Sequence, residues 1–272
     1  MKSKTYENEI LQWRAQKYEE RVGENGWLAL AGLFWLKNGR NLIGSNPVCE
    51  IVLPERAPTF IGIVELRGKI ARFQVAEGVP VRINGRLAQK AILKSSQEAK
   101  PSFITWDDMR LVLHAHGDRY GIRIWDNQRA ERRSLPPLKW FPISTRFRIS
   151  ARFTRYPSPK TSAEMDSLGN TLEDRMDGYL TFRFEGQAYK LDATKKEDHT
   201  LFIKFRDETS GLETYPPARY VYTEPLKDGK AILDFNYAHS PPCAFTQYAT
   251  CLFAPPQNNL PFRVEAGEIY RG

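Results

Sequence analysis

The residues able to do chemistry gather between Asp207 and Glu268, on turn-rich stretches that separate short apolar runs. Asp207, Asp234 and Glu268 are carboxylates suited to general acid or base work, and Cys243 is a nucleophile candidate. These four are the catalytic candidates. Arg219 offers a guanidinium that can clamp an anionic group, Tyr215 a hydroxyl for proton transfer, and Asn236 and Asn258 amides that can orient a ligand. These four are the ligand-binding candidates. Arg219 follows the stiff Pro216-Pro217 pair, and Asp234 and Asn236 point to one side of a strand, opposite Phe235. Asp207, Tyr215, Arg219, Asp234 and Asn236 are therefore expected to share one pocket, because a buried charge needs a partner and these are each other's nearest candidates. The same residues have a plainer reading, in which Asp207 and Asp234 cap turns, Arg219 pairs with one of them, and Cys243 is a small buried group. These residues are compatible with three functions: binding of a small anionic ligand in a polar pocket, a hydrolase-type enzyme in the same pocket, and a structural or interaction module without a small-molecule site.

The sequence holds no phosphate-cradling glycine loop, nucleophile elbow, H-E-x-x-H or calcium loop. His239, Cys243 and Cys251 lack the paired spacing and the fourth ligand of a zinc site, so neither a metal nor a cofactor is expected. Three cysteines, Cys49, Cys243 and Cys251, are few and odd in number, which fits reduced thiols in a cytoplasmic protein. A disulfide between Cys243 and Cys251 remains compatible with the spacing. No long uncharged apolar run is present, so no membrane partner is expected.

The elements that must position these groups are mostly strands. Residues Ser3 to Arg21 read as a helix, with Tyr6, Ile10, Trp13 and Lys17 on one face and Gly23 as its stop. After Trp27 to Leu36, turns at Asn38-Gly39, Asn46-Pro47, Glu77-Gly78, Asn84-Gly85 and Gly117-Asp118 set the rhythm of a β-sandwich. His114 and His116 share one face of a strand and are read as solvated. Leu135-Pro136-Pro137-Leu138 breaks the rhythm and marks a joint. The fold class expected is mainly β: an N-terminal helix at 1–25, a β-sandwich at 26–135, and a second antiparallel β module at 136–272 that carries the candidate pocket. Within that module Tyr156 to Thr171 reads as a long loop and Lys195 to His199 as a polar link.

The net charge of +8 is concentrated: Arg119 to Lys160 holds eleven Lys or Arg against two acids. Arg146, Arg148 and Arg152 alternate with Phe147, Ile149, Ala151 and Phe153, so one strand face buries and the other presents three guanidinium groups. Such a face is a solvated surface or an anion-binding wall. Any nucleic-acid contact it makes is expected to be weak and sequence-independent, since no base-reading motif accompanies it.

Two resemblances add to this reading. Gly26-Trp27-Leu28 with Ala31 to Leu36, Thr209-Ser210-Gly211 with Thr214-Tyr215, and Asp234-Phe235-Asn236 with Pro241-Pro242-Cys243-Ala244-Phe245 resemble a bacterial family known as domain of unknown function 1684. The likeness runs from about Trp13 to Glu268 and departs from the family pattern at Ala218, His239 and Leu252, where Gly, Tyr and Pro are usual. It implies an identity without an activity, and it argues against a mechanism that needs His239. Leu42-Ile43-Gly44-Ser45, Ile51-Val52-Leu53 and Val81 to Leu87 resemble, more weakly, the forkhead-associated sandwich. That family reads phosphothreonine through an Arg after the first Gly and a Ser-x-x-His about a strand later. Here Ser45 follows Gly44, and Ala57 to Gly62 supplies neither the Ser nor the His, so no phosphothreonine peptide is expected as a partner.

Overall fold

The computed structural model describes residues 2–270. Helix α1 (Lys2–Val22) puts Tyr6, Ile10 and Trp13 on one face by its 3.6-residue period. Ile10 is fully buried, and the Trp13 ring stands edge-on to Trp140 and Tyr237, with centroids 5.5 and 5.0 Å away. The helix ends at Gly23, whose N–H bonds Glu19 O at 2.8 Å.

The chain divides into two units, one of Glu19–Leu135 and the other of the residues up to Tyr18 together with those from Pro136 onward. The helix is therefore not a separate body. Its first turns belong to the C-terminal unit, because their aromatic face needs an apolar partner and finds it in Trp140 and Tyr237.

The unit Glu19–Leu135 contains β1 (Leu30–Trp35), β2 (Gly39–Gly44), β3 (Ile51–Val52), β4 (Gly62–Arg67), β5 (Ile70–Val75), β6 (Arg82–Ile83), β7 (Arg86–Leu87), β8 (Lys90–Leu93), β9 (Phe103–Trp106), β10 (Met109–His116) and β11 (Arg119–Asp126). They form a six-stranded sheet in the order β1-β11-β10-β9-β6-β7 and a five-stranded sheet in the order β3-β2-β4-β5-β8. Ile43, Val64 and Phe73 of the second sheet share one core with Ile104, Leu111 and Ile122 of the first, so the two make a sandwich. Asn84 and Gly85, with φ of 50° and 81°, make the tight turn between β6 and β7.

His114 and His116 do share a strand face, with rings stacked 5.7 Å apart, but His114 is buried rather than solvated. The Arg123 guanidinium lies 3.1 Å from its Nε2 and Ser96 Oγ 3.3 Å from its Nδ1. Period-2 alternation gave the face correctly; it carried no information about the loop bearing Ser96 that covers it.

The C-terminal unit adds β12 (Lys139–Trp140), β13 (Arg148–Met165), β14 (Thr171–Phe184), β15 (Gln187–Lys195), β16 (Leu201–Phe205), β17 (Arg219–Tyr222), β18 (Lys230–Asp234) and β19 (Glu268–Ile269). Six of them form an antiparallel sheet, β17-β16-β15-β14-β13-β18, curled into a half-barrel. Where its edges near each other, Glu224 N–H bonds Ile232 O at 3.1 Å. The concave side buries Ile149, Leu180, Phe182, Leu191, Ile203, Phe205, Val221 and Leu233, and Leu260, Val264 and Ala266 of the C-terminal segment close over it. β12 pairs with β19 beside this closure.

The stretch Tyr156 to Thr171 is not a loop. β13 and β14 continue as a long hairpin to Met165↔Thr171, with the register shifted between Arg155 and Lys160. Pro157 and Pro159, which have no N–H for a ladder, fall inside that bulge, so they interrupt the pairing without ending the strand.

Candidate functional site

The sequence candidates sort into three clusters within the C-terminal unit. The first surrounds Arg219 at the start of β17. Its guanidinium is almost wholly buried and donates to Asp207 Oδ2 at 3.2 Å, to Val264 O at 2.9 Å, and to Ala266 O. Asp207 in turn accepts Val264 N–H at 2.6 Å and the Thr209 hydroxyl at 2.7 Å, and Thr209 and Thr214 bond each other at 2.9 Å. The pair thus ties the C-terminal segment to the edge of the half-barrel. Glu268 works beside it, accepting Ser240 N–H at 2.9 Å while its own N–H bonds Ala238 O at 2.8 Å. Gly267 allows this approach: its φ is 80°, and a Cβ there would lie 2.3 Å from Ala238 O.

The second cluster is built on Asp234 and Asn236. Asp234 caps the turn Phe235–Tyr237 by accepting Asn236 N–H at 3.0 Å, and its Oδ2 takes the Tyr6 hydroxyl of α1 at 2.5 Å. The Asn236 amide donates to Ser144 O at 2.8 Å and to Tyr6 Oη at 3.1 Å, and accepts Ser144 N–H at 3.0 Å. Burial pushes the Asp234 carboxyl above its usual range, opposed by the Tyr6 and Asn236 bonds and by Arg148. This arrangement docks the helix and the segment before β13.

The third cluster holds Tyr215 and Cys243. The Tyr215 hydroxyl donates to Cys243 Sγ at 3.6 Å, and Cys243 N–H points at Cys251 Sγ at 3.3 Å. Cys49, Cys243 and Cys251 are all free thiols. Asn258 stands apart from all three clusters. Continuing the β15–β16 register from Thr194↔Phe202 would pair Asp192 with Lys204, but the Asn258 amide occupies that rung: it accepts Asp192 N–H at 2.7 Å and donates to Asp192 O at 2.9 Å and Lys204 O at 2.8 Å.

The single shared pocket expected from Asp207, Tyr215, Arg219, Asp234 and Asn236 is thus replaced by separate hydrogen-bonded groups. Arg219 took Asp207, twelve positions earlier, because two carbonyls of the closing segment accept from the same guanidinium there, through Nη1 and Nη2. Asp234 faced the helix instead, a partner 228 positions away that no local pattern announces. His239 Nδ1 lies 3.1 Å from Tyr237 O, and among the described residues no three His, Cys, Asp or Glu side chains group as metal ligands. Of the proposed basic wall, Arg146 is paired with Glu185, and Arg148 with Glu224 at 2.6 Å.

An open cavity of about 810 Å³ lies elsewhere in this unit, at the β13 bulge. Phe153 and Leu226, both packed on the half-barrel core, form its apolar floor. Arg155, Lys195 and Lys196 stand exposed around it, while Arg175 is held by Asp177 at 2.8 Å. Lys195 ends β15 and belongs to this rim, not to a passive link. Sequence reading missed these residues because they come together only through the bulge register. A larger hollow of about 1030 Å³, over Ile63, Arg72, Gln74 and Ile92, lies on the five-stranded sheet of the other unit. It follows the outer face of that sheet, where alternate β5 residues are exposed as the pleat requires.

A protein-family model described as "Protein of unknown function (DUF1684)" matches residues 133–269. No curated protein matches the chain. Among solved structures, an uncharacterized protein from gene locus rrnAC0354 of Haloarcula marismortui is 32% identical over 52% of this chain and 80% of its own, with a TM-score of 0.42. The FhaA forkhead-associated domain, solved in complex with the intracellular domain of Rv3910, is 16% identical over 34% of this chain and 96% of its own, with a TM-score of 0.24. Among the described residues no helix is long and apolar enough to cross a membrane.

Proposed function

We propose that this chain, which belongs to the family described as protein of unknown function DUF1684, binds a small organic anion in the cationic groove of its C-terminal unit. The observation that carries the reading is the rim of Arg155, Lys195 and Lys196. These exposed cations make no ion pair among the described residues and outnumber the acids of the same lining, Asp177, which holds Arg175, and the exposed Glu197, around an apolar floor of Phe153 and Leu226. Converging like charges are unfavourable unless an anion joins them, and the apolar floor suits a ligand whose charged end is attached to a hydrocarbon or aromatic body. Arg219 and Asn258 support the site by holding the half-barrel together and Asn236 by docking the helix, through hydrogen bonds made inside the protein. A reducing, cytoplasmic setting is part of the same proposal and is supported by the three free thiols.

Calorimetric titration tests the reading with three probes: inorganic phosphate, a short-chain carboxylate and a medium-chain carboxylate. The expected order of affinity places the medium-chain acid first. Lys195→Glu with Arg155→Glu should lower that affinity by about tenfold or more, roughly 1.4 kcal/mol, and Lys90→Glu in the other unit should leave it unchanged. Equal binding by the charge-reversed protein would remove the groove from consideration.

A further inference from the structure

Cys243 and Cys251 are eight residues apart yet adjacent in space, held by different backbone devices. Cys243 sits in the short turn Pro242–Ala244, entered through Pro241, and is half-buried. Cys251 is buried beneath it. Its N–H donates to Ser167 Oγ at 3.1 Å, Ser167 Oγ bonds Ala249 O at 2.6 Å, and the next carbonyl, Leu252 O, takes the Tyr220 hydroxyl at 2.6 Å. These bonds fix the deeper sulfur, while the outer one lies under the Tyr215 hydroxyl at 3.6 Å. Tyr215 is itself steadied by the Tyr270 ring, 4.9 Å away and edge-on.

We propose that Cys243 and Cys251 form a peroxide-reactive dithiol, with Cys243 as the attacking thiol and Cys251 as the resolving one. The Cys243 thiolate attacks one oxygen of a hydroperoxide, the O–O bond breaks, and hydroxide or alkoxide leaves and takes a proton. Cys243 becomes a sulfenic acid. Cys251 Sγ then attacks Cys243 Sγ, losing its thiol proton, and the sulfenic hydroxyl departs as water. The two sulfurs end as a disulfide and have together given two electrons to the peroxide.

The division of labour follows from the surroundings. Donors point at Cys243 from the Cys251 thiol and from Tyr215, and they hold its pKa below the ordinary thiol range. The same thiol-to-thiol bond, with burial, pushes Cys251 up. The thiolate is therefore favoured on Cys243 over Cys251, and Cys243 is the less buried of the two sulfurs. Cys49, also buried and pushed up by burial, is the internal control.

The test uses the whole chain and hydrogen peroxide. Brief alkylation of the native protein at pH 7 should label Cys243 at least about tenfold faster than Cys49, which is both more buried and pushed up by that burial. Peroxide followed by alkylation and peptide mass spectrometry should show a Cys243–Cys251 crosslink with the loss of two hydrogens, reversed by dithiothreitol. Cys251→Ser should instead stop at a Cys243 sulfenic acid that a cyclic diketone captures. Tyr215→Phe should slow the first step without preventing the crosslink. If Cys251→Ser does not fold, the alkylation rates and the wild-type crosslink still decide. Alkylation of Cys243 no faster than Cys49, or oxidation of Cys243 to higher acids with Cys251 left free, would overturn the proposal.

Discussion

Asp207 and Arg219 face each other across 3.2 Å with almost no exposure, and the same carboxylate oxygen that meets the guanidinium also accepts Val264 N–H at 2.6 Å. The pair is a clasp on the segment that closes the half-barrel. Arg219→Ala leaves Asp207 charged, buried and short of its main counter-ion, and orphans the carbonyls of Val264 and Ala266. A loss of about 3–5 kcal/mol in urea-unfolding stability is expected. Affinity of the folded variant for the groove ligand should stay within about threefold, roughly 0.6 kcal/mol, of wild type. A variant that keeps its stability but loses binding would return Arg219 to the role of ligand clamp.

Tyr6 ties the helix to the C-terminal unit through a 2.5 Å bond to Asp234, a carboxylate that burial already disfavours as an anion. Tyr6→Phe keeps the ring and removes that donor. A stability loss of about 1–3 kcal/mol is expected, and amide exchange should accelerate in α1 up to Tyr18 together with the Phe235–Tyr237 turn. Faster exchange confined to the helix would show that Asp234 does not depend on it.

Several of these relationships were legible in the residues and others were not. The α1 face, the hairpin turn at Asn84-Gly85 and the break at Pro136 follow from periodicity and backbone restriction, which are local properties. The motifs Thr209-Ser210-Gly211 and Asp234-Phe235-Asn236, and Glu268, stood out because they restrict the backbone or carry charge. Their partners are set by closure of the half-barrel, a long-range event that spacing cannot encode. Asn258 is the clearest case. Its amide replaces a missing ladder rung between Asp192 and Lys204, and only the register of β15 against β16 reveals the gap. Arg155, Lys195 and Lys196 meet because prolines bulge β13 instead of breaking it, a tertiary override of a strong loop signal.

The Ser45 hydroxyl is spent on Ala57 O at 2.8 Å, closing the loop after β2, and Ser45 brings no cation to that loop. Matched phosphothreonine and threonine peptides should therefore bind the unit Glu19–Leu135 equally, or not at all, in fluorescence-anisotropy titrations of the full chain. A phosphate-dependent gain of about tenfold, roughly 1.4 kcal/mol, would contradict this.

The buried His114 makes the stability of the sandwich depend on pH. A guanidinium only donates, so Arg123 at 3.1 Å from Nε2 requires that nitrogen to accept, and the ring is neutral with its proton on Nδ1 toward Ser96 Oγ. Protonation would place a cation in a dry site against Arg123 and beside His116. Burial first, then these two groups, lower the pKa from 6.5 to about 3. The folded pKa thus lies below the unfolded one. Between about pH 6.5 and 3 the unfolded chain binds the additional proton, so stability falls as the pH falls through that window, by up to about 1.4 kcal/mol per unit. Carboxylates elsewhere also respond to acid, and the comparison that isolates the histidine is His114→Gln, which keeps a carbonyl acceptor for Arg123 and cannot titrate. From pH 7 to pH 5.5 the wild-type protein should lose about 1.2 kcal/mol more than the variant in urea unfolding followed by tryptophan fluorescence. Parallel stability curves for the two proteins would mean that His114 titrates in the folded state as it does in the open chain.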